Sequence, residues 1–430
     1  MPTRRSRVAL FVAGLTAVAL LLQLVYLSLL LGVGSDGRKG FEPGDEGRRP
    51  LSVPGKVSEQ AALKDKLQLV SALASHEEPH GDGRHWIYRG IAGGSEVKDR
   101  AALDVTLTTH TSLDRLHELD SLLIRWGGPV SLALFCPGNA SGLALWAIST
   151  LRACSSAVRD RVSFHLVYPA RPSKLLPGDI GLFPGCDEAR EGLTSLLRSH
   201  TGAAVSYDLG FAPYPNNLLR NVARTAGGRG RYVLPLDVDM IPSSGLRPAL
   251  IDFLGRDSTR LSFGDRTVFV LPAFESRSRP GHEPGTKAEL LRRVALGDAR
   301  PFYSELCGKC QRPTDFDRWV RLPLRSTLGS SYDVPWRDPW EPFFLSPRSA
   351  PLFDERFQQY GFNRISQACE LHVAGYRFAV LDEAFVVHKG FKMPGRFHAS
   401  KDVEQEKNRE LFRHFKAELK IRYPRSSRRC

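Results

Sequence analysis

The sequence predicts an α/β fold: a mainly parallel sheet flanked by helices, preceded by one transmembrane helix. Three observations carry this. Strand and helix patterns alternate from Asp104 onward, and such alternation gives parallel strands with covered faces. An apolar strand pattern, Tyr232-Val-Leu-Pro-Leu, ends in two carboxylates one residue apart, Asp237 and Asp239, at the place where ligands meet such sheets. An apolar run over 8–33 exceeds the roughly 20 residues that cross a bilayer.

The N-terminal elements follow from charge and composition. Arg4, Arg5 and Arg7 mark 1–7 as a cytoplasmic tail, and no small-x-small cleavage site follows Leu31, so 8–33 reads as a retained signal anchor. That orientation is type II and puts the remainder in the lumen. Residues 34–56, rich in Gly, Pro and charge, read as a stem, and 57–430 as the luminal domain. Within that domain 57–73 has helical apolar spacing and 76–94 reads as loop.

The alternating region then runs in order. Residues 105–108 predict a strand, 112–126 a helix entered through Ser112 as N-cap, and 130–135 a strand. Residues 142–154 predict a helix, 162–168 a strand, 193–199 a short element, and 216–226 a helix leading into the strand that carries the acid pair. Beyond it come a strand over 268–274, a helix over 287–296 and an aromatic, proline-rich stretch over 313–340 suited to a sugar platform. Residues 356–372 predict a helix, 376–381 and 384–388 strands, and 402–421 a long charged helix.

Sixty Lys and Arg against 46 Asp and Glu give a net charge of +14, which favours an anionic partner. No nucleic-acid-binding signature accompanies it, so nucleic acid is excluded as that partner. There is no GxGxxG after the first strand and no GxxxxGK[ST], which disfavours dinucleotide and P-loop enzymes. Seven cysteines in an oxidising lumen form no dense framework. Cys307-Gly-Lys-Cys310 is half a zinc site or a disulfide, and the lack of a second CxxC favours the disulfide. Cys430, at the very end of the chain, is the expected odd thiol. Asn139-Ala-Ser is a glycosylation acceptor if luminal.

Two acids at i and i+2 on an extended chain face the same side, and their repulsion is relieved by a hard cation such as Mn²⁺ or Mg²⁺. A D-x-D pair can equally be two turn carboxylates, and four longer stretches decide between the readings: VTLTTHTSLDRL (105–116), YPNNLLRNVA (214–223), LDVDMIP (236–242), and FDERFQQYGFNRISQACEL with VVHKG (353–371, 386–390). Together they resemble the β-1,4-glucuronyltransferase family, over 57–430.

The resemblance implies a GT-A nucleotide-sugar fold in the Golgi membrane. The activity it implies is transfer of glucuronic acid from UDP-glucuronate to a xylose, with inversion, priming matriglycan on the O-mannosyl glycan of α-dystroglycan, with the LARGE glycosyltransferase as a further partner. It implies Asp237, Asp239 and His388 as Mn²⁺ ligands, Lys392 near the diphosphate, and Asn217, Arg220 and Asn221 at the donor. Many inverting relatives carry an acid pair after a Trp/Tyr-Gly, whereas Tyr360-Gly361 is followed here by Phe362, Asn363 and Arg364. The base therefore has to lie elsewhere, Glu341 first and Asp338 second, or else these acids are structural. Arg364 is then placed to attract the uronate carboxylate of the donor. The alternatives are a non-catalytic Golgi subunit of a glycosyltransferase complex and an N-acetylglucosaminyltransferase.

Overall fold

The computed structural model describes residues 77–94 except 82, 104–136, 141–169, 212–227, 230–256, 266–277, 281–394 and 399–430, with isolated positions over 69–72 and 186–195. The expected tail, anchor and stem, most of the 57–73 helix, Asn139, and most of 193–199 lie outside these residues. Among the described residues no helix is long and apolar enough to cross a membrane.

The chain in order forms β1 (Glu77–His80), β2 (His85–Ala92), β3 (Val105–Ser112), α1 (Leu119–Trp126), β4 (Val130–Phe135), α2 (Ser141–Cys154), α3 (Ser156–Arg161) and β5 (Val162–Tyr168). After α4 (Asn216–Ala226) come β6 (Tyr232–Pro235), β7 (Met240–Pro242), α5 (Leu246–Gly255), β8 (Thr267–Leu271), β9 (Ala273–Ser276), α6 (Lys287–Ala295) and β10 (Ala299–Pro301). The remainder is α7 (Ser304–Gln311), α8 (Phe316–Arg321), β11 (Ser330–Val334), β12 (Phe343–Pro347), α9 (Asn363–Val373), β13 (Arg377–Leu381), β14 (Val386–Lys389) and α10 (Lys401–Arg422).

A ten-stranded sheet has the order β1-β2-β5-β4-β3-β6-β12-β8-β13-β11. It is mixed, which corrects the expectation of a mainly parallel sheet. The centre β5-β4-β3-β6 is parallel, as the alternation implied, but β12 inserts antiparallel between β6 and β8. The segment 76–94, expected as loop, is an antiparallel hairpin whose β2 pairs with β5; its histidines, glycines and charges hid a strand with Ile87, Tyr88, Ile91 and Ala92 buried. A second, four-stranded sheet has the order β10-β9-β14-β7. The single strand expected over 268–274 breaks at Pro272 into β8 and β9, which belong to different sheets. A proline cannot donate to a ladder, and here its carbonyl accepts from Val386 N–H at 3.0 Å.

Other boundaries also moved. Over 112–126 a 3-10 turn (Leu113–Glu118) precedes α1, and Ser112 makes no capping bond to the backbone; its hydroxyl donates to Asp114 instead. The helix expected from 356 starts at Asn363, because Gln359, Gly361 and Phe362 all take positive φ in the preceding loop. In the aromatic stretch Trp319 and Trp340 are fully buried, their indole N–H groups donating to Leu381 O and Thr314 Oγ1, so they are core and not a sugar platform.

Two large apolar clusters fill the fold, one around Leu107, Leu132, Phe164, Leu234 and Leu345, the other around Val270, Trp319, Trp340, Phe378 and Val380. A smaller cluster of Phe357, Ile365, Phe412, Phe415 and Leu419 packs α9 against α10. Disulfides link Cys154 to Cys186, Cys307 to Cys310 and Cys369 to Cys430. The CxxC pairs within itself, as expected. Cys430 does not stay free: α10 returns its end to α9, and the odd thiol is buried Cys136.

Candidate active site

β6 is held in line by β3, and Leu236 N–H extends the pairing by donating to Thr108 O at 3.0 Å. The chain then turns. Met240 N–H closes on Asp237 O at 2.9 Å, so the acid pair lies on a turn and not on the extended strand expected. Leu236 and Val238 remain buried, and both carboxylates reach a cleft of about 990 Å³. The turn feeds β7, whose Met240 is the register partner of His388 on β14. This pairing brings His388, 149 residues away by number, beside the pair: its Nε2 lies 3.3 Å from Asp239 Oδ2. His388 Nδ1 bonds Gly390 O at 2.8 Å, which fixes the proton on Nδ1 and aims Nε2 at the cleft.

Both carboxylates are kept ionised against burial. Burial alone would raise Asp239, but His388, Arg115 and Lys392 hold it well below the usual carboxylate range. For Asp237 burial is likewise overcome, by Arg364 and Arg220, and the result is again well below that range. The contacts are close: Arg115 Nη2 to Asp239 Oδ2 at 3.0 Å, Arg220 Nη2 to Asp237 Oδ1 at 3.1 Å, Arg364 Nη2 to Asp237 Oδ2 at 2.7 Å. Among the described residues no three His, Cys, Asp or Glu side chains are grouped closely enough to hold a metal; Asp239 and His388 meet, while Asp237 faces the two arginines.

The other expected donor residues divide. Arg220 lines the cleft, buried beneath it and bonded to Asn217 Oδ1 as well as to Asp237. Asn217 and Asn221, expected at the donor, are not part of the cleft lining. Asn217 donates to Asp354 O, and Asn221 both donates to Phe353 O and accepts from Phe353 N–H, so the two asparagines fasten the 353–363 loop to α4. Arg364 opens α9, stacks 4.1 Å over the Phe343 ring and lines the cleft. Lys392 also lines it, its backbone pinned between Glu275 and Arg300.

Glu341 and Asp338 are both on the cleft wall. Glu341 is held through its backbone: its N–H donates to Cys310 O at 3.0 Å and its carbonyl accepts from Gln311 Nε2 at 3.0 Å. Burial pushes its carboxyl up to about 7, against the pull of Arg364 and with Asp237 adding to the rise. Asp338 is exposed at the rim. A half-buried acid poised near neutrality suits proton transfer better than a solvated one.

Sequence reasoning assigned no role to His110, Arg115 or the Phe302–Tyr303 pair. His110 Nδ1 bonds Tyr214 OH at 2.9 Å and its Nε2 faces Asp237 at 3.4 Å; burial lowers its pKa and keeps the ring neutral. Phe302 and Tyr303 stack with centroids 4.2 Å apart on the cleft wall. Apart from the His110–Ser112 segment within the β3 pattern, no local signal marks them.

The chain matches known proteins over most of its length. A family model described as "Glycosyl-transferase for dystroglycan" matches residues 104–424. Beta-1,4-glucuronyltransferase 1 of Mus musculus is 44% identical over 372 residues, covering 85% of this chain and 86% of that protein. The Danio rerio protein of the same name is 40% identical over 434 residues, 96% of each chain. Xylosyl- and glucuronyltransferase LARGE2 of Mus musculus is 30% identical over 287 residues, 66% of this chain and 34% of that longer protein. The chain is a glycosyltransferase and belongs to the family described as glycosyl-transferase for dystroglycan.

Proposed function

We propose that this chain is a β-1,4-glucuronyltransferase of GT-A fold, moving glucuronic acid from UDP-glucuronate to a xylose with inversion and with Mn²⁺ as cofactor. In this reading it works as a single-pass type II protein of the Golgi membrane and primes matriglycan on α-dystroglycan. The observation that carries the activity is 44% identity to beta-1,4-glucuronyltransferase 1 over 85% of the chain, joined to a cleft that an ionised acid pair shares with the half-buried Glu341 carboxyl, poised near neutrality.

The donor set suits a hard divalent ion. Asp239 offers an ionised oxygen, the Nδ1–H of His388 is already spent on Gly390 so that Nε2 is available, and Asp237 is a second ionised carboxylate. Asp239 and His388, which already meet, would hold Mn²⁺, with Asp237 joining them on turning from Arg220 and Arg364, and the ion would supply Lewis acidity at the diphosphate of the leaving UDP. Arg115 and Lys392 add positive charge on the same side.

Glu341 accepts the proton of the attacking xylose hydroxyl. The new bond forms at the anomeric carbon from the face opposite UDP as the old C–O bond breaks, and the electron pair leaves with the diphosphate. Arg364, held between Phe343 and Asp237, meets the uronate carboxylate, a planar anion that a guanidinium pairs through two hydrogen bonds.

The test is incubation of the full chain with Mn²⁺, a panel of UDP-sugars and a β-xyloside, with products identified by mass and linkage. Glucuronyl-xyloside is the expected product. Turnover of UDP-N-acetylglucosamine in its place would select the other enzyme reading, and no turnover with any donor would return the chain to a binding subunit.

A further inference from the structure

Buried polar atoms in a folded chain nearly always find hydrogen-bond partners, and an exception on a cavity wall marks a bond that a ligand can complete. The cleft has such atoms on two helix starts. Among the described residues, Oδ1 of Asn216 and Oδ1 of Asn363 are buried and make no hydrogen bond. Asn216 is the first residue of α4 and Asn363 the first of α9, and both line the cleft that holds Asp237 and Glu341. Leaving an acceptor buried and unpaired costs stability. Two such atoms on one wall are matched by a ligand that brings hydroxyl donors.

Both helix starts are firmly mounted. The positive φ of Gln359, Gly361 and Phe362 turns the chain so that Asn363 arrives at the cleft. Its Nδ2 donates to Gln359 O at 2.8 Å, which commits the nitrogen to the loop and leaves the oxygen as the side of the amide that meets a ligand. Its carbonyl accepts from Asn217 Nδ2 at 3.4 Å, so α4 and α9 touch at these two starts. Asn216 N–H donates to Tyr214 O at 3.0 Å, and Tyr214 OH is bonded in turn to His110. Both asparagines are half-buried, and a small rotation of either amide offers its oxygen to the cavity.

The neighbours of these oxygens indicate which hydroxyls they meet. An amide oxygen only accepts, so it selects O–H and N–H groups and gains nothing from a carboxylate or a phosphate. Asn363 directly precedes Arg364, which takes the uronate carboxylate in the reading above once Asp237 turns to the metal. In a hexuronate the ring carbon that bears the carboxylate, C5, adjoins C4 and its hydroxyl. We propose that Asn363 Oδ1 accepts from the 4-hydroxyl of the donor glucuronate and Asn216 Oδ1 from a second hydroxyl of the same sugar. The pair reads stereochemistry while Arg364 reads charge. The idea rests on the transferase reading above. In galacturonate the 4-hydroxyl is axial, which turns it from Asn363 and leaves the amide oxygen unpaired.

The experiment measures binding to the full chain by calorimetry with Mn²⁺ present, using UDP, UDP-glucuronate, UDP-galacturonate and a β-xyloside. The parent is expected to bind UDP-glucuronate more tightly than UDP-galacturonate by about tenfold or more. Asn363→Ala should narrow that ratio to within about twofold, with UDP affinity changed by less than about twofold. Asn216→Ala, which leaves the Asn363 bond to Gln359 in place, should weaken UDP-glucuronate by about fivefold or more and hold UDP within the same limit. Equal binding of the two epimers by the parent, or a preference that survives Asn363→Ala, overturns the proposal. So does a fall in UDP affinity as large as that for UDP-glucuronate in either variant, which would assign that asparagine to the nucleotide or to the fold. A fall for the β-xyloside alone would assign it to the acceptor and overturn the proposal as well. Failure of the donor screen above would count against the transferase reading alone, since ligand binding here is read without turnover.

Discussion

Glu341 is where one side chain's environment makes the sharpest statement. Its folded pKa of about 7 lies above the ordinary 4.5, so the folded chain keeps a proton that the unfolded chain gives up across that interval. Stability contributed by this group is therefore full at pH 4.5 and falls as the pH rises to 7. Glu341→Gln should remove that fall: its melting temperature should exceed the parent's at pH 8 and show no such gain at pH 4.5. The same substitution should reduce transfer by at least about a hundredfold while leaving UDP binding in place, and the parent's rate should climb with pH to a plateau above about 7. Arg364→Ala should lower kcat/KM for UDP-glucuronate by about 10- to 100-fold and narrow its advantage over UDP-glucose; undiminished use of UDP-glucuronate would assign uronate recognition elsewhere. At this scale the sequence exposed the groups whose chemistry is unusual in itself. The acid pair, His388 and Glu341 share one cleft, as their types and flanks suggested. Asn217 and Asn221 stand outside the cleft lining because which face of a helix meets a cavity depends on what packs against it, here the 353–363 loop. Arg115 was missed because its contact with Asp239 spans 124 residues and leaves no local pattern.

Elements were legible where pattern and partner agree. The parallel centre β3 to β6 and the helices after β4 and before β6 follow from periodicity. The hairpin β1–β2 and the antiparallel insertion of β12 do not, since both are fixed by strands distant in sequence. The end of α10 shows the same dependence. Cys430 has nothing near it in sequence to suggest a partner, yet the apolar packing of Phe412, Phe415 and Leu419 carries it back to Cys369. Closing a loop across a separation of 61 residues restricts the unfolded chain, and Cys430→Ser should cost about 3–4 kcal/mol, read as a shift in the urea midpoint under non-reducing conditions. Stability unchanged by that substitution would mean that the packing holds α10 without the bond. Asn408→Ala, which strands three carbonyls of the 358–361 segment, should cost about 2–3 kcal/mol by the same measurement.

For the whole molecule, the second sheet explains how the site is assembled. β7 continues from the acid pair and β14 lies beside it, so one short antiparallel register sets a histidine against a carboxylate, while α4, α9 and β12 bring arginines and Glu341 around the same space. The cleft thus has an end that carries the acid pair, built by the sheets, and a wall rich in lysine and arginine built by α10. In the proposed reaction Asp237, Asp239 and His388 would act on the departing diphosphate through a divalent ion. Its most direct test is glucuronyl transfer to a β-xyloside by the parent and by Asp239→Asn, each folded by circular dichroism, after chelation and across a Mn²⁺ titration. The parent should lose activity on chelation and regain it with Mn²⁺, and Asp239→Asn should stay inactive throughout; Mn²⁺-dependent transfer by Asp239→Asn at the parent's rate would contradict the account.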